Sequence, residues 1–174
     1  MRLLMTAAAL LLLMGCKASQ PGQLENKVIT SVKQNVTVGG KDWKNPVAAS
    51  PEAVQEGGDH FRHHCAICHG NDGQNTGVPF ADRMDPPVEN LASQDVQGYA
   101  DGQLKWIIEN GISPSGMPGW KGILTDDEMW KMVHFMRNLP EKGSAGVPDV
   151  YTESAEQHTG GKSHTHSDSK PHTH

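Results

Sequence analysis

Three residues near the middle of the chain have the types and the spacing to hold a metal-containing group. They follow one another in the order Cys65-Ala66-Ile67-Cys68-His69. Two thioethers at this spacing reach the two vinyl groups on one edge of a porphyrin, and the imidazole that follows turns under the ring to bind iron. The pattern therefore predicts one covalently attached haem c, held by Cys65, Cys68 and His69.

A zinc site, a thioredoxin-like redox site and a plain disulfide are the alternatives for the same residues. A structural zinc site needs a second ligand pair, but the chain has only three cysteines, and His63 and His64 stand too close together to complete a good tetrahedron. A thioredoxin-like site is expected in a βαβ context, which the Gly/Pro-rich surroundings lack. A disulfide suits an exported protein but leaves the loop-rich region without a core. Haem is the favoured interpretation.

The helices that must position this motif are indicated by residues typical of helix starts and ends. Pro51 opens a helical stretch that runs to the cysteines, and Asp101 is predicted to cap a further helix that Gly111 ends. Thr125 and Glu128 form a capping box before an apolar run.

Between these helices, residues 71–97 are rich in Gly, Pro, Asp and Asn. A loop of that length is implausible in a small domain unless something large fills the space beneath it.

The chain of 174 residues divides by composition into four parts. Residues 1–15 read as a signal peptide and residues 16–49 as a linker with a possible short β segment. Residues 50–140 can form one small core, and residues 141–174 are predicted to be a disordered, His-rich tail because they have too few apolar groups to offset the entropy of ordering.

The charge distribution excludes one class of partner. Residues 50–140 carry six basic and thirteen acidic side chains, a formal charge of −7. Binding to nucleic acid needs a basic footprint, so no nucleic acid is expected. A redox partner with a basic docking face is expected instead.

The amino terminus predicts a lipid anchor. A short apolar run, too short to span a membrane, ends at Leu13-Met14-Gly15-Cys16, which resembles a bacterial lipobox. Cys16 is therefore the expected lipidation site, and the protein is expected in a bacterial cell envelope, anchored to a membrane and facing the periplasm or the exterior.

Around the motif the sequence resembles the class I c-type cytochromes over residues 51–140. Gly57, Phe61 and Cys65 lie four residues apart on one helix face, as in the first helix of that family, and Phe135 matches the aromatic that the family's last helix brings to the crossing. The resemblance implies an all-α fold of three to five helices around a covalent haem. It also implies a carrier of single electrons rather than an enzyme, either alone or as a subunit of a larger oxidoreductase.

The resemblance also implies further haem contacts. Pro86-Pro87 resembles the proline ahead of a loop leucine whose carbonyl holds the Nδ1–H of the proximal histidine, and Pro79 is the alternative. Met117, in Gly116-Met117-Pro118-Gly119, matches the family's distal iron ligand. Trp106 and Trp120 either bond to a propionate or pack on the ring edge.

The remaining methionines and histidines are assigned less specific roles. Met129, Met132 and Met136 recur at helical spacing and are expected to fill the core, and a structural role is also favoured for Met84. His60, His63, His64 and His134 are expected to be solvated.

Clustered imidazoles in the tail are expected to bind zinc, copper or nickel weakly. They are His158, His164, His166, His172 and His174. A haem-based gas sensor with an open distal position and a metal-handling lipoprotein that uses this tail are the alternative functions.

Overall fold

The computed structural model describes residues 37–113 and 115–152, and the regular secondary structure of these residues is helical. The all-α prediction is confirmed. Between Pro51 and Arg137 the helices are α1 (Pro51–His64), α2 (Ala66–His69), a 3-10 helix (Ala81–Arg83), α3 (Gln94–Gln97), α4 (Asp101–Asn110) and α5 (Asp126–Arg137). None of the helices in the described ranges is long and apolar enough to cross a membrane.

Local hydrogen bonds set the starts of the two longest helices. The Ser50 hydroxyl accepts a hydrogen bond from the Ala53 N–H at 3.1 Å, with Pro51 in the first position of α1. At α5, the Thr125 hydroxyl accepts from the Glu128 N–H at 3.3 Å, and the Glu128 carboxylate accepts from the Thr125 N–H at 2.7 Å. The predicted capping box is therefore present.

Helices α1 and α5 cross at Gly57. A Cβ placed on Gly57 would lie 2.0 Å from the backbone oxygen of Lys131, so only glycine allows the two backbones to come this close. Beside the crossing, the rings of Phe61 and Phe135 pack with their centroids 5.0 Å apart. The core continues around them with Leu91, Val96, Leu104, Ile108, Leu124, Met129, Trp130, Met132, Val133 and Met136.

Helix α4 begins one residue earlier than the sequence suggested. Ala100, not Asp101, is its N-cap, and the Ala100 N–H donates to Oε1 of Gln103 at 3.0 Å. The Asp101 carboxylate instead accepts a hydrogen bond from Nε of Arg137 at 2.8 Å, which ties α4 to the end of α5. Gly111 ends the helix as predicted, with a φ of 71°.

Residues 37–49, which we call the arm, lie against α4 and α5. Gly39 faces the indole of Trp106, since a Cβ at Gly39 would lie 2.6 Å from Nε1 of that ring. His134 is only 9% exposed, and its Nε2 donates to the Val47 carbonyl at 2.9 Å. The expectation that His134 is solvated is therefore wrong, because the arm covers it and supplies the acceptor. The described part of the predicted linker contains no β-strand.

Residues 141–152, which we call the strap, fold back on the loop that follows the Cys-x-x-Cys-His motif. The Gly143 N–H donates to Oδ2 of Asp72 at 2.7 Å, and Nε2 of Gln74 donates to the Pro140 carbonyl at 2.9 Å. The disorder predicted from residue 141 onward is therefore wrong for the strap. Composition misses this segment because its own backbone groups, rather than apolar side chains, hold it in place.

Candidate haem site

The motif follows α1 without an intervening loop. The Cys65 N–H donates to the Phe61 carbonyl at 2.8 Å and closes α1, and the N–H groups of Cys68 and His69 then donate to the Cys65 carbonyl at 3.0 and 2.9 Å. Both cysteines and the histidine therefore lie on one turn, and the position of this turn is fixed by the packing of α1.

The two cysteines are free, half-buried thiols. Burial, and then the neighbouring Cys68, raises the pKa of the Cys65 thiol to about 12, and burial also raises the pKa of Cys68. The described ranges contain no group of three or more His, Cys, Asp or Glu side chains placed to hold a metal ion. Two thiols and one imidazole on a single turn are the donor set that covalent haem attachment requires.

The imidazole of His69 is oriented by a backbone carbonyl. Its Nδ1 lies 3.1 Å from the carbonyl oxygen of Glu89, so Nδ1 donates a hydrogen bond and Nε2 keeps a lone pair that is free to bind a metal. Burial lowers the pKa of His69, although the bond to Glu89 acts in the opposite direction. A neutral imidazole is the form that ligates a metal.

The acceptor for Nδ1 follows the predicted prolines but is not a leucine. It is the carbonyl of Glu89, two residues after Pro87. The interpretation of Pro86-Pro87 therefore identified the correct loop but the wrong type of residue. Pro79 does not serve this role, because Nδ1 of His69 bonds to the Glu89 carbonyl instead.

Two half-buried methionines come from different loops to the same region. Met117 lies on the loop after α4, where the Ile112 N–H donates to its carbonyl at 3.2 Å. A Cβ placed on Gly116 would lie 3.6 Å from Cε of Met84, which places Met84 beside the same turn. This juxtaposition could not be predicted, because no sequence pattern relates residue 84 to residue 116.

The other methionines and the two tryptophans have structural contacts. Met129, Met132 and Met136 are 2%, 0% and 7% exposed and belong to the core, as expected. Trp106 packs against the arm, and Trp120 packs on the ring of His64 with the centroids 5.0 Å apart. Cys16 and the five tail histidines lie outside the described residues.

Sequence reasoning missed Asp72, which is fully buried behind the motif. Its carboxylate accepts hydrogen bonds from the backbone N–H groups of Gln74 and Gly143, at 2.9 and 2.7 Å, and from the Thr76 hydroxyl at 2.5 Å. Burial alone raises the pKa of Asp72, but these hydrogen bonds outweigh it, and the pKa lies below its ordinary value.

The helical fold and the Cys-x-x-Cys-His turn define a small haem-binding domain, and the comparisons with known proteins agree. Residues 52–136 match the family described as cytochrome c oxidase, cbb3-type, subunit III. The chain is 35% identical over 106 residues to the cytochrome c subunit of a quinone alcohol dehydrogenase from Gluconobacter oxydans (strain 621H). That match covers 54% of this chain and 21% of the relative, so the chain spans about a fifth of the relative's length.

Residues 52–136 are therefore a c-type cytochrome domain, and membership of this family implies a covalently bound haem c.

The buried carboxylate predicts a specific dependence of stability on pH. Because the folded-state pKa of Asp72 is below its unfolded value of about 3.9, its contribution is fully present above that value and is lost as the pH falls towards the folded-state pKa. Asp72→Asn should lower the free energy of unfolding at pH 7 by about 1–3 kcal/mol and weaken its pH dependence below about pH 5.

Urea unfolding of the wild type and the variant at a series of pH values checks this prediction, with the exposed Asp82→Asn as the control. Equal losses of stability in the wild type and in Asp72→Asn between pH 7 and pH 3 would contradict it.

Proposed function

We propose that the chain is a monohaem electron carrier in which Cys65 and Cys68 form the two thioethers, and Nε2 of His69 and Sδ of Met117 bind the iron. The hydrogen bond from Nδ1 of His69 to the Glu89 carbonyl is the observation that carries the proposal, because it leaves Nε2 as the free donor. One Cys-x-x-Cys-His motif in 174 residues supports a single haem. Haem iron supplies the reversible one-electron change.

The chain's own residues would position the haem, exclude water from it and supply the ligands of its iron. Phe61, 1% exposed, lies between the α5 ring of Phe135 and the imidazole of His69, and excludes water from the proximal side. A methionine opposite the histidine favours the reduced state and raises the potential. Gly116, with a φ of 79°, adopts a left-handed conformation that gives the Met117 loop its turn.

A redox protein with a basic docking face is the proposed partner. The matched relative is the cytochrome c subunit of a dehydrogenase, which supports a redox enzyme as electron donor or acceptor. The loop that carries Met84 exposes the carboxylates of Asp82, Asp85 and Glu89 against one basic side chain, Arg83. An acidic surface beside the proposed distal ligand attracts a positively charged partner.

A lipid anchor at Cys16 is the proposed link to the membrane. The apolar run that ends at Leu13-Met14-Gly15-Cys16 supports it. The cytochrome domain would then be held at a bacterial membrane, facing the periplasm or the exterior, where c-type haem and its redox partners meet.

Replacing the proposed distal ligand tests the site directly. Met117→Ala should keep the covalent haem, because Cys65 and Cys68 are untouched, and should open the iron to carbon monoxide. The potential should fall by on the order of 100 mV, a fraction of the roughly 0.8 V over which axial ligands set haem potentials. Absorption spectra with and without carbon monoxide, together with redox titration, measure both effects.

Met84→Ala is the matched control, since Met84 lies beside the same turn. It should leave the ligand-field spectrum and the potential close to those of the wild type. If Met84→Ala opens the iron and Met117→Ala does not, Met84 is the ligand and the assignment is wrong.

Ionic strength tests the basic docking face. Electron transfer to a lysine-rich cytochrome c should slow as salt rises, because the Debye length shrinks from about 10 Å at 0.1 M to about 3 Å at 1 M. Stopped-flow rates of the double variant Asp82→Asn/Asp85→Asn should be lower at low salt and depend less on salt.

The control for this experiment is Glu52→Gln, an exposed acidic residue in the first turn of α1. It lies about 20 Å along the helix from Cys65 and should leave the rate unchanged. A salt-independent rate for the wild type would refute the electrostatic docking.

Cys16→Ser tests the anchor. The variant should appear in the soluble fraction after cell disruption with its haem intact, because Cys16 lies outside the haem domain. Membrane fractionation with haem staining measures this, and wild-type protein is the reference. A variant that stays with the membrane after a carbonate wash would rule out the lipid anchor.

A further inference from the structure

The strap begins with contacts to the loop behind the motif. Besides the bond from Gly143 to Asp72, Nδ2 of Asn71 lies 3.3 Å from the Ala145 carbonyl. Further along, Val147 sits on the backbone of Gly77, where an added Cβ would lie 2.5 Å from Cγ1 of Val147. The strap thus follows the loop back towards the cysteines instead of leaving the domain.

The strap reaches the motif through Tyr151. The Tyr151 hydroxyl donates a hydrogen bond to the backbone carbonyl of Ile67, the residue directly before Cys68. The tyrosine ring meets Phe80 edge-on, with the centroids 6.3 Å apart. Burial, and then the nearby Cys68 thiol, raises the pKa of the Tyr151 hydroxyl. The hydroxyl is therefore bonded to the backbone directly before Cys68, the residue that would form the second thioether.

A tyrosine at this place lies beside the turn that would hold one edge of the porphyrin. The thioether edge is the part of the porphyrin held by the Cys65–Cys68 turn, and Ile67 on that turn is 52% exposed. The solvent exposure of a haem is one of the factors that set its potential, since water stabilises the more highly charged ferric state. A segment fixed over this turn changes both the exposure of the edge and the closest approach of a redox reagent.

We propose that Tyr151 is a positioning residue that holds the end of the strap over the Cys68 thioether, so that the strap shields this edge of the haem from water and from small redox reagents. The inference rests on the proposed haem attachment at Cys65 and Cys68. It assigns a role to residues 141–152 beyond the last helix of the cytochrome domain.

Three single substitutions in the full chain test the shield without changing its charge. Tyr151→Ala removes both the hydroxyl and the ring, and Tyr151→Phe removes the hydroxyl alone. Thr152→Ala is the matched control, because the Thr152 hydroxyl donates to the Asp149 carbonyl, at 2.9 Å, within the strap. The anchor from Gly143 to Asp72 is intact in all three.

The first readouts are the midpoint potential and the second-order rate of oxidation by tris(1,10-phenanthroline)cobalt(III). One electron leaves the reduced cytochrome, cobalt(III) becomes cobalt(II), and no bond forms or breaks. Tyr151→Ala should lower the potential and raise the rate relative to Thr152→Ala. An unchanged potential or an unchanged rate would overturn the proposal, since a merely structural role for Tyr151 would move neither.

Amide hydrogen exchange provides a readout that does not depend on electron transfer. The Tyr151 N–H donates to the Pro148 carbonyl at 2.9 Å. In Tyr151→Phe this amide should exchange about fivefold faster, the change in opening equilibrium that the loss of one ordinary hydrogen bond produces. Equal exchange in the wild type and in Tyr151→Phe would mean that the hydroxyl does not hold the strap.

The mass of the denatured full chain separates this inference from the proposed function. A chain that carries one haem and shows no effect of Tyr151→Ala overturns the shield and leaves the haem attachment standing. A full chain without covalent haem overturns the attachment itself.

Discussion

The close crossing of α1 and α5 at Gly57 is the constraint on which the site depends. Because the backbone of Lys131 occupies the space of a side chain at residue 57, the two helices are locked at a fixed distance. Phe61, one turn further along α1, then packs on Phe135 and also faces His69 at a centroid distance of 6.4 Å. The motif continues directly from this helix, so the packing that holds α1 also fixes the histidine.

Polar groups hold much of the long loop after the motif, in addition to the core contacts of Leu91 and Val96. Asp72 gathers donors from its own loop and from the strap, and Asn75 links the motif to the Glu89 segment: its N–H donates to the His69 carbonyl at 2.8 Å and its side chain to the Val88 carbonyl at 2.8 Å. Buried backbone groups must be paired wherever the chain runs. These bonds let a Gly- and Pro-rich segment keep a defined path without regular secondary structure.

Signals carried by side chains close together in sequence predicted the fold well. The capping box of Thr125 and Glu128 acts through local geometry, so it can be read from the sequence. The role of Gly57 came instead from the resemblance to a known family, because its partner, Lys131, is distant in sequence. The Glu89 carbonyl and the burial of His134 could not, because every residue has a carbonyl, and the cover over His134 comes from a distant segment. Contacts of backbone groups between segments that are distant in sequence cannot be predicted from residue types.

The surface is acidic because most of the basic residues are paired with carboxylates. Of the six Lys and Arg residues between positions 50 and 140, five form ion pairs with carboxylates: Arg62, Lys105, Lys121, Lys131 and Arg137. Lys105 is 4% exposed, and its Nζ lies 2.9 Å from Oε2 of Glu109 and 2.8 Å from Oδ1 of Asp126. Its charge therefore adds little to the electrostatic potential outside the domain. Arg83 donates to a backbone carbonyl at 2.6 Å rather than to a carboxylate. The formal charge of −7 on residues 50–140 therefore gives a surface on which carboxylates, rather than equal numbers of both charges, set the electrostatic potential.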